Sequence, residues 1–350
     1  MELDDRKKRI LQAIIEQYIG TAEPVSSGAL VDNYGMELSS ATIRNEMANL
    51  EQNGYIEKPH TSAGRIPSAK GYRFYVDELL KDDNISFDEI KYIQKCLQTN
   101  ANAMEELTKI ATHTLSEITH YTTVAIGPKT ETHTIIDIKF VLLGTRLLMA
   151  VILTDTGIVK ETMIKFDSDI TELQVEKLNY VFNSKLRGKA LGQIDIPMKE
   201  LIMSEMAYEL KIIKPIIEEI NKVVKEDYDI YLEGRDKVFD FPEFSDLDTA
   251  RKLLNMLETK DLVCEILDPT SNNNINVYIG NENEYDELKN LSIIVFRNAV
   301  NEKDLGTIGI IGPTRMDYSK VISVMKYINA VLNEKWKTFE DNHNIEKEGM

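Results

Sequence analysis

The sequence has few of the features that mark secreted, membrane-bound or metal-binding proteins. Its two cysteines, Cys96 and Cys264, are far apart and lack CxxC or Cys/His spacing, so neither a disulfide framework nor a zinc site is expected. There is no apolar run of about 18 residues, and the first residues are charged, so we expect no membrane span and no signal peptide. These absences predict a cytoplasmic protein that does not bind membranes.

Signatures of catalysis are also missing. The five histidines form no HExxH pair, and no P-loop or GxSxG motif occurs. Neighbouring acids such as Glu105 and Glu106 are typical of solvated helix faces. The sequence therefore predicts a protein that is not an enzyme, with no catalytic residues, no cofactor and no metal.

Basic residues are in the minority, but they are unevenly distributed. The chain carries a net charge of −17, whereas residues 1–81 hold 10 Lys and Arg against 12 Asp and Glu, a net of −2. Within 55–75 a single acid, Glu57, accompanies four bases, a local charge of +3. The bases are Lys58, Arg65, Lys70 and Arg73. Because salt screens charges beyond about 8–10 Å, such a local patch is sufficient for a DNA-binding face on an acidic protein.

The stretch from Leu38 to Ser68 predicts a helix with one buried and one free face. Ser39 or Ser40 can cap it, Ile43, Met47 and Leu50 recur at helical spacing, and Gly54 can end it. The opposite face is made of small or amide-bearing side chains with a hydroxyl and a guanidinium at its flanks. These are Ala41, Asn45, Ala48, Asn49 and Gln52, flanked by Thr42 and Arg44. Such a face suits a DNA major groove, although a plain solvated face is the alternative.

The surrounding residues predict a winged helix-turn-helix. Asp4 or Asp5 can cap a first helix that Gly20 ends, and Ser68 is expected to cap the helix that follows the hairpin. A shorter helix capped by Ser26 or Ser27 precedes a turn at 35–38, and in this arrangement the later helix reads DNA. The segment 58–65, with Pro59 and Gly64, fits a hairpin loop, from which Arg65 and Ile66 return as a strand. That hairpin is the expected wing.

Each polar residue of this unit has an expected role. Arg44, Asn45 and Asn49 would read base edges, with Ser40 and Thr42 near phosphate or a thymine methyl. In the wing, His60 and Arg65 would enter a minor groove or touch the backbone, while Lys58, Lys70 and Arg73 would contact phosphates. The alternatives are an Arg44–Glu51 pair or an Arg44 phosphate contact, and a merely solvated basic turn. We expect Tyr72, Phe74 and Tyr75 to pack in a core or between domains instead of stacking on bases.

Beyond residue 81 the periodicity alternates between helix and strand. Asp82–Asn84 is a polar segment that we expect to form the first domain boundary. The expected elements are helices at 87–98 and 104–119, a strand at 122–126, a β-meander over 134–166, helices at 171–186 and 198–225 with a break near Pro215, a strand at 228–233, helices at 246–258 and 260–267, three strands at 276–279, 292–297 and 307–311, and a last helix at 318–336. We expect 341–350 to be a flexible tail.

Four motifs in a fixed order resemble the heat-inducible transcription repressor HrcA family. They are 40–47 (SATIRNEM), 61–68 (TSAGRIPS), 279–283 (IGNEN) and 311–318 (IGPTRMDY). The resemblance extends from about Arg6 to Leu332, and the co-occurrence of the motifs makes it specific.

The resemblance implies a function and an architecture that composition and spacing do not. It implies a homodimeric repressor of heat-shock chaperone operons that binds double-stranded DNA at the CIRCE inverted repeat and is kept active by the GroE chaperonin. It also implies an α+β multidomain fold with a GAF-like domain into which a dimerisation domain is inserted. The expected domains are 1–81 for DNA binding, 82–128 with 228–340 for the GAF-like part, 129–227 for the insert and 341–350 for the tail. The rival assignment places the meander in the GAF-like sheet.

Two further points remain open in the sequence. Arg315, Asp317 and Tyr318 follow a Gly-Pro turn, and we expect Asp317 to cap the last helix. These three residues are candidates for a dimer or domain contact, and the helix start can also hold an anion. A regulator with a small ligand in the GAF-like domain is the alternative function, and an acidic interaction platform for a chaperone is another.

Overall fold

The computed structural model describes residues 3–34, 38–59, 64–80, 85–98, 104–127, 130–157, 159–194, 196–225, 229–244, 247–268, 274–300 and 303–348. Within these ranges the chain is a mixed α+β protein with sheets of two, five and three strands. The expected boundary segment Asp82–Asn84 lies outside the described residues.

The amino-terminal part is three helices, a small hairpin and a fourth helix. The elements are α1 (Asp5–Thr21), α2 (Ser27–Tyr34), α3 (Ser40–Gln52), β1 (Ile56–Glu57), β2 (Ile66–Pro67) and α4 (Ala69–Phe74), which continues as a π-helical turn at Tyr75–Leu79. The side chains of Asp4, Ser39 and Ser68 each accept a backbone N–H of the first turn, so all three helix starts are capped as the sequence predicts.

The remaining elements follow in chain order. They are α5 (Phe87–Leu97), α6 (Met104–Thr119), β3 (Thr122–Ile126), β4 (Ile135–Gly144), β5 (Leu147–Thr154), β6 (Val159–Lys165), α7 (Glu172–Leu186), α8 (Ile196–Glu205), α9 (Leu210–Lys225), β7 (Ile230–Glu233), α10 (Leu247–Glu258), α11 (Lys260–Leu267), β8 (Ile275–Ile279), β9 (Leu291–Val300), β10 (Lys303–Pro313) and α12 (Tyr318–Glu348).

The five-stranded sheet is antiparallel, has the order β7-β3-β10-β9-β8 and is covered on both faces. Because successive side chains of a strand point to opposite faces, Ile294 and Phe296 of β9 pack towards α6 and α12, and Ile293 and Val295 pack towards α10 and α11. The first of these two cores is continuous with the apolar residues of α1, α3 and α4. The amino-terminal unit is therefore packed directly against one layer of the larger part.

The meander forms a sheet of its own. Strands β4, β5 and β6 pair only with one another among the described residues, whereas β3 pairs with β7 and β10. Helices α7 and α9 lie against β4 and β6 and close a separate core that includes Phe140, Ile152 and Phe182. The rival assignment of the meander to the larger sheet is therefore wrong.

Three details differ from the sequence-based expectation. Helix α1 ends at Thr21, and its C-cap Ala22, with a φ of 55° and an N–H bond to the Tyr18 carbonyl, takes the place of the stop expected at Gly20. The helix expected at 198–225 breaks at 207–209, while α9 continues through Pro215 because Ile212, Ile216 and their neighbours are buried on one side. Helix α12 continues to Glu348, so 341–348 is helical where a flexible tail was expected.

Candidate nucleic-acid interface

Helix α3 has the two faces that its sequence predicts. Ile43 and Leu50 have no exposed surface and Met47 is 5% exposed, so one side is fixed in the amino-terminal core. Arg44, Asn45 and Asn49 are exposed on the other side. The helix therefore presents a guanidinium and two amides to solvent from a rigid base.

The hydroxyl residues at the start of α3 are engaged within the protein. Ser39 Oγ accepts the backbone N–H of Thr42 at 3.1 Å and lies 2.9 Å from Thr42 Oγ1. Ser40 Oγ lies 3.0 Å from Ser27 Oγ, which joins the starts of α2 and α3. Both expected contact residues, Ser40 and Thr42, thus also fix the position of the helix.

Arg44 and Asn45 differ from Asn49 in the bonding of their side chains. Within the described part of the chain neither side chain makes an ion pair or a hydrogen bond, whereas Asn49 Oδ1 accepts from Asn53 Nδ2 at 3.0 Å. The alternative Arg44–Glu51 pair does not form, because Glu51 is directed towards Arg65 and Lys58. The free guanidinium and amide need no internal bond to be broken before they meet a ligand.

The base of the hairpin is locked to the rest of the unit. Arg65 exchanges two backbone hydrogen bonds of 2.8 Å with Val25, and its Nε donates to Glu51 Oε2 at 2.8 Å. Gly64 lies so close to this ladder that an added Cβ would stand 2.4 Å from the Val25 carbonyl oxygen. Arg65 was expected to enter a minor groove or touch the DNA backbone, and in the structure its guanidinium is held against α3 with 16% of the side chain exposed. His60 lies outside the described residues.

The two lysines remain at the surface beside α3. Lys58 Nζ lies 3.9 Å from Glu51 Oε1, and 42% of its side chain is exposed. Lys70 Nζ donates to the Asn53 carbonyl at 2.9 Å and stands 4.5 Å from the centroid of the Tyr55 ring. A cation at the end of α3 is favourable because the helix dipole leaves negative charge there.

Arg73 was expected to contact phosphates, but its guanidinium is bonded within the protein. Its Nε donates to Glu282 Oε1 at 2.9 Å, its Nη2 donates to the Val277 carbonyl at 2.5 Å, and its Nη1 donates to Asp77 at 3.1 Å. These hydrogen bonds, above all those to Glu282, raise the pKa of Arg73. All three guanidinium nitrogens of Arg73 therefore donate to protein acceptors, and the side chain joins α4 to the five-stranded sheet.

The aromatic residues of α4 confirm their expected packing role. Tyr72 is 2% exposed and Tyr75 is 5% exposed, and Phe74 packs edge-on against Tyr55 with ring centroids 5.5 Å apart. Burial raises the pKa of the Tyr72 phenol. Tyr72 and Tyr75 are therefore too buried to stack on bases, and Phe74 packs within the protein.

The motif 311–318 is an internal contact site. Arg315 Nε donates to Glu243 Oε1 at 2.6 Å, and Asp317 Oδ1 accepts the backbone N–H of Lys320 at 3.0 Å, so Asp317 caps α12 as expected. Tyr318 is fully buried, and its ring centroid lies 5.8 Å from that of Tyr72. Tyr318 is therefore a contact to the amino-terminal unit.

Two acids organise this region through partners that the sequence does not reveal. Glu51 holds the hairpin through Arg65, and Glu282 holds α4 through Arg73. The signal available for Glu282 was its place in the 279–283 motif, and for Glu51 its helical spacing from Arg44. Neither pattern identifies the partner, because both partners are brought close only by folding.

The described part of the chain has neither a metal-binding cluster nor a membrane-spanning helix. It contains no cluster of His, Cys, Asp and Glu that can hold a metal ion. None of its helices is long and apolar enough to cross a membrane.

The sequence is similar to known proteins over nearly its whole length. The family model for the HrcA protein C terminal domain matches residues 105–322. A heat-inducible transcription repressor HrcA from Ruminiclostridium cellulolyticum is 38% identical over 348 residues, which covers 98% of this chain and 100% of the relative. The corresponding protein of Thermoanaerobacter pseudethanolicus is 41% identical over 337 residues, covering 95% of this chain and 97% of the relative.

A solved structure is similar over nearly the whole chain. A crystal structure titled as a hypothetical protein superposes with a TM-score of 0.66 at 26% identity, covering 97% of this chain and 100% of that one. The curated relatives place the chain in the class of transcription repressors. More particularly, the chain belongs to the heat-inducible transcription repressor HrcA family.

Proposed function

We propose that this protein is a homodimeric repressor of heat-shock chaperone operons that binds the CIRCE inverted repeat through a winged helix-turn-helix in residues 1–81. The observation that supports this most directly is the exposed side of α3, where Arg44 and Asn45 have no internal partner in the described residues while Ile43 and Leu50 are fully buried. Arg pairs bidentately with guanine and Asn with adenine, so the face has the donors that a major groove requires.

The electrostatics of the unit fit a reader of this kind. Lys58 and Lys70 flank α3 and would contact phosphates, which position a reader without specifying sequence. The rest of the chain is acidic, so binding elsewhere on its surface is disfavoured. In this assignment Arg65 holds the hairpin, and Arg44, Asn45 and Asn49 read bases.

An inverted repeat requires two readers related by a two-fold axis. We propose that the inserted domain, 129–227, supplies the dimer contact between the two parts of a GAF-like domain, 82–128 and 228–340. The outer face of β4–β6 supports this, since Val159 and Met163 are each 53% exposed and Leu153 is 37% exposed. Contiguous exposed apolar surface of this kind marks interaction sites.

The same face carries charges that are self-complementary. Val151 pairs with Lys139 on one side and with Glu161 on the other, so the three side chains form a row across the sheet. A two-fold axis along β5 would set Lys139 of one copy opposite Glu161 of the other. The occupant we propose for this face is therefore a second copy of the chain.

Control by temperature would follow from marginal stability. In our proposal the repressor unfolds reversibly on heating, and the GroE chaperonin restores the folded dimer when it is not occupied by other clients. Less folded dimer then means less repression.

The deciding experiment is a titration of an inverted repeat and of a single half-site over a salt series, with and without chaperonin. The proposal requires tighter binding to the repeat and recovery after heating that depends on chaperonin. Equal affinity for the inverted repeat and the half-site would show that the protein does not read DNA as a dimer. Full recovery of DNA binding after heating without chaperonin would show that the proposed heat mechanism is wrong.

A second candidate is a regulator that responds to a small ligand. A cavity of about 210 Å³ between α11, β8 and β9 favours it, lined among others by Glu265, Tyr278, Asn283 and Tyr285. A shift of the thermal unfolding midpoint by a metabolite, together with a change in operator affinity, would support this candidate.

A further inference from the structure

Arg73 connects α4 to a loop more than two hundred residues further along the chain. Its Nε and Nη2 both bond to the Glu282 carboxylate, and Nη2 also bonds to the backbone carbonyl of Val277 in β8. The side chains of Arg73 and Glu282 are 30% and 37% exposed. An arginine fork with two acceptors on the other side fixes an orientation as well as a distance.

The loop that receives Arg73 is itself held in shape. Asn283 Nδ2 donates to the carbonyls of Gly280, Leu288 and Leu291 at 2.9 to 3.0 Å, and Glu282 Oε2 accepts the backbone N–H of Ile279 at 2.8 Å. Gly280 has a φ of +56°, and a Cβ there would lie 3.7 Å from the Cβ of Ala69 in α4. The carboxylate is therefore preorganised, and glycine suits the left-handed backbone of this loop.

A second contact is made by the residue next to Arg73. The rings of Tyr72 and Tyr318 are 5.8 Å apart, and Tyr318 Oη donates to the Thr314 carbonyl at 2.6 Å. Tyr72 is 2% exposed and Tyr318 is fully buried. Two contacts, one on the loop after β8 and one at the start of α12, leave α4 little freedom to rotate on the sheet.

Helix α4 is also tied to the end of α3. Ser68 Oγ donates to the Gly54 carbonyl at 2.6 Å, and Lys70 Nζ donates to the Asn53 carbonyl at 2.9 Å. Gly71 lies so close that an added Cβ would stand 2.1 Å from the Tyr55 carbonyl oxygen. The direction of α3 is thus transmitted through α4 to Glu282.

We propose that Arg73 and Glu282 are positioning residues that set the angle of the DNA-reading helix on the rest of the protein, and through it the half-site spacing that a dimer accepts. This inference depends on the proposed function. In a dimer joined elsewhere on the chain, the separation of the two α3 helices follows from this angle. Loss of the Arg73–Glu282 contact should leave each DNA-binding unit folded, but the distance and angle between the two α3 helices of the dimer should vary more.

The test is a panel of inverted repeats whose spacer is lengthened or shortened, measured beside a single half-site. For Arg73→Ala and for Glu282→Ala we expect the ratio of affinities between preferred and altered spacers to fall about fivefold or more, with half-site affinity unchanged. The double variant should lose no more than either single one, since both remove the same contact.

Two further variants keep the test decisive. Asp77→Ala removes an Arg73 contact within the same helical segment and should keep the spacer preference. Glu282→Gln keeps one acceptor oxygen, which can still accept from Arg73 Nη2 and from the Ile279 N–H, and loses the acceptor for Arg73 Nε. Its spacer preference should fall between those of wild type and Glu282→Ala, and it provides a result if the alanine variant misfolds.

The results that would overturn the inference differ from those that would overturn the proposed function. Folded Arg73→Ala protein with wild-type spacer preference, or with weaker half-site binding, would show that Arg73 does not act by positioning. If wild-type protein binds neither the inverted repeat nor the half-site, the proposed function itself is wrong.

Discussion

Arg65 and Glu51 join the hairpin to the helix before it: Arg65 Nε and Nη2 lie 2.8 and 2.7 Å from the same carboxylate oxygen of Glu51. The two residues are fourteen positions apart. Because the Arg65 side chain is only 16% exposed, water screens this pair less than a surface ion pair. The contact fixes the hairpin relative to the face of α3 that we propose to read DNA.

The first prediction concerns this pair. Arg65→Ala and Glu51→Ala should each destabilise the protein, with a coupling of about 1 kcal/mol in a double-mutant cycle, since each change leaves the other charge without its partner. Urea unfolding of the four proteins measures it. A coupling near zero would mean that the pair contributes nothing to holding the hairpin.

The second prediction separates base reading from backbone contact. Arg44→Ala or Asn45→Ala should weaken operator binding by about 1–3 kcal/mol and leave binding to random DNA nearly unchanged. Arg146→Ala, an exposed arginine in the β4–β5 turn, is the control and should behave as wild type on both DNAs. Equal losses on operator and random DNA would exclude base reading by the residue tested.

The third prediction concerns salt. Lys70→Ala should reduce the slope of log affinity against log salt by about one unit, since one phosphate contact is lost. Lys91→Ala is the matched control, because Lys91 Nζ also stands over an aromatic ring, 4.4 Å from the centroid of Phe87. Lys91 lies in α5, outside the proposed DNA-binding unit, so this variant should keep the wild-type slope. An unchanged slope for Lys70→Ala would show that Lys70 does not contact a phosphate.

The fourth prediction tests the outer face of β4–β6. Met163→Asp should shift the protein from dimer to monomer, because a buried unpaired carboxylate is costly in an apolar contact. Lys139→Glu and Glu161→Lys should each weaken the dimer, and the double exchange should restore it. Sedimentation velocity gives the oligomeric state. If all four variants sediment as dimers, the dimer contact lies on another surface.

The fifth prediction is a pH dependence. A hydrogen bond from Lys320, together with bonds from Ser86, lowers the pKa of Glu89 from 4.5 to about 2 and holds α5 against α12. Since the pKa is lower in the folded state, the stabilisation is complete above pH 4.5 and is lost as the pH falls towards 2. Glu89→Gln should therefore cost about 1 kcal/mol near neutral pH and progressively less in acid. A difference from wild type that stays constant with pH would contradict this account.

Local structure was largely accessible from the sequence. The caps at Asp4, Ser39 and Ser68 and the buried stripe of Ile43, Met47 and Leu50 depend on neighbours within one helical turn or two, so the pattern alone predicts them. The meander was predicted for the same reason, since its hairpin partners are close in the chain. The break between α8 and α9 was misplaced at Pro215, because burial of the isoleucines around it outweighs the local preference of proline.

Long-range pairing was decided by tertiary structure. By itself the sequence determined that α3 has one apolar and one polar face, and that a cluster of bases follows it, because spacing and charge are written in the chain. It could not determine which of these bases stay exposed at the surface. Arg65 and Arg73 look equivalent to Lys58 and Lys70 in the sequence, yet folding brings Glu51 and Glu282 against the two arginines and leaves the lysines at the surface. The physical reason is that an ion pair depends on distance in space, and only the packing of α4 on the five-stranded sheet brings residues 73 and 282 together.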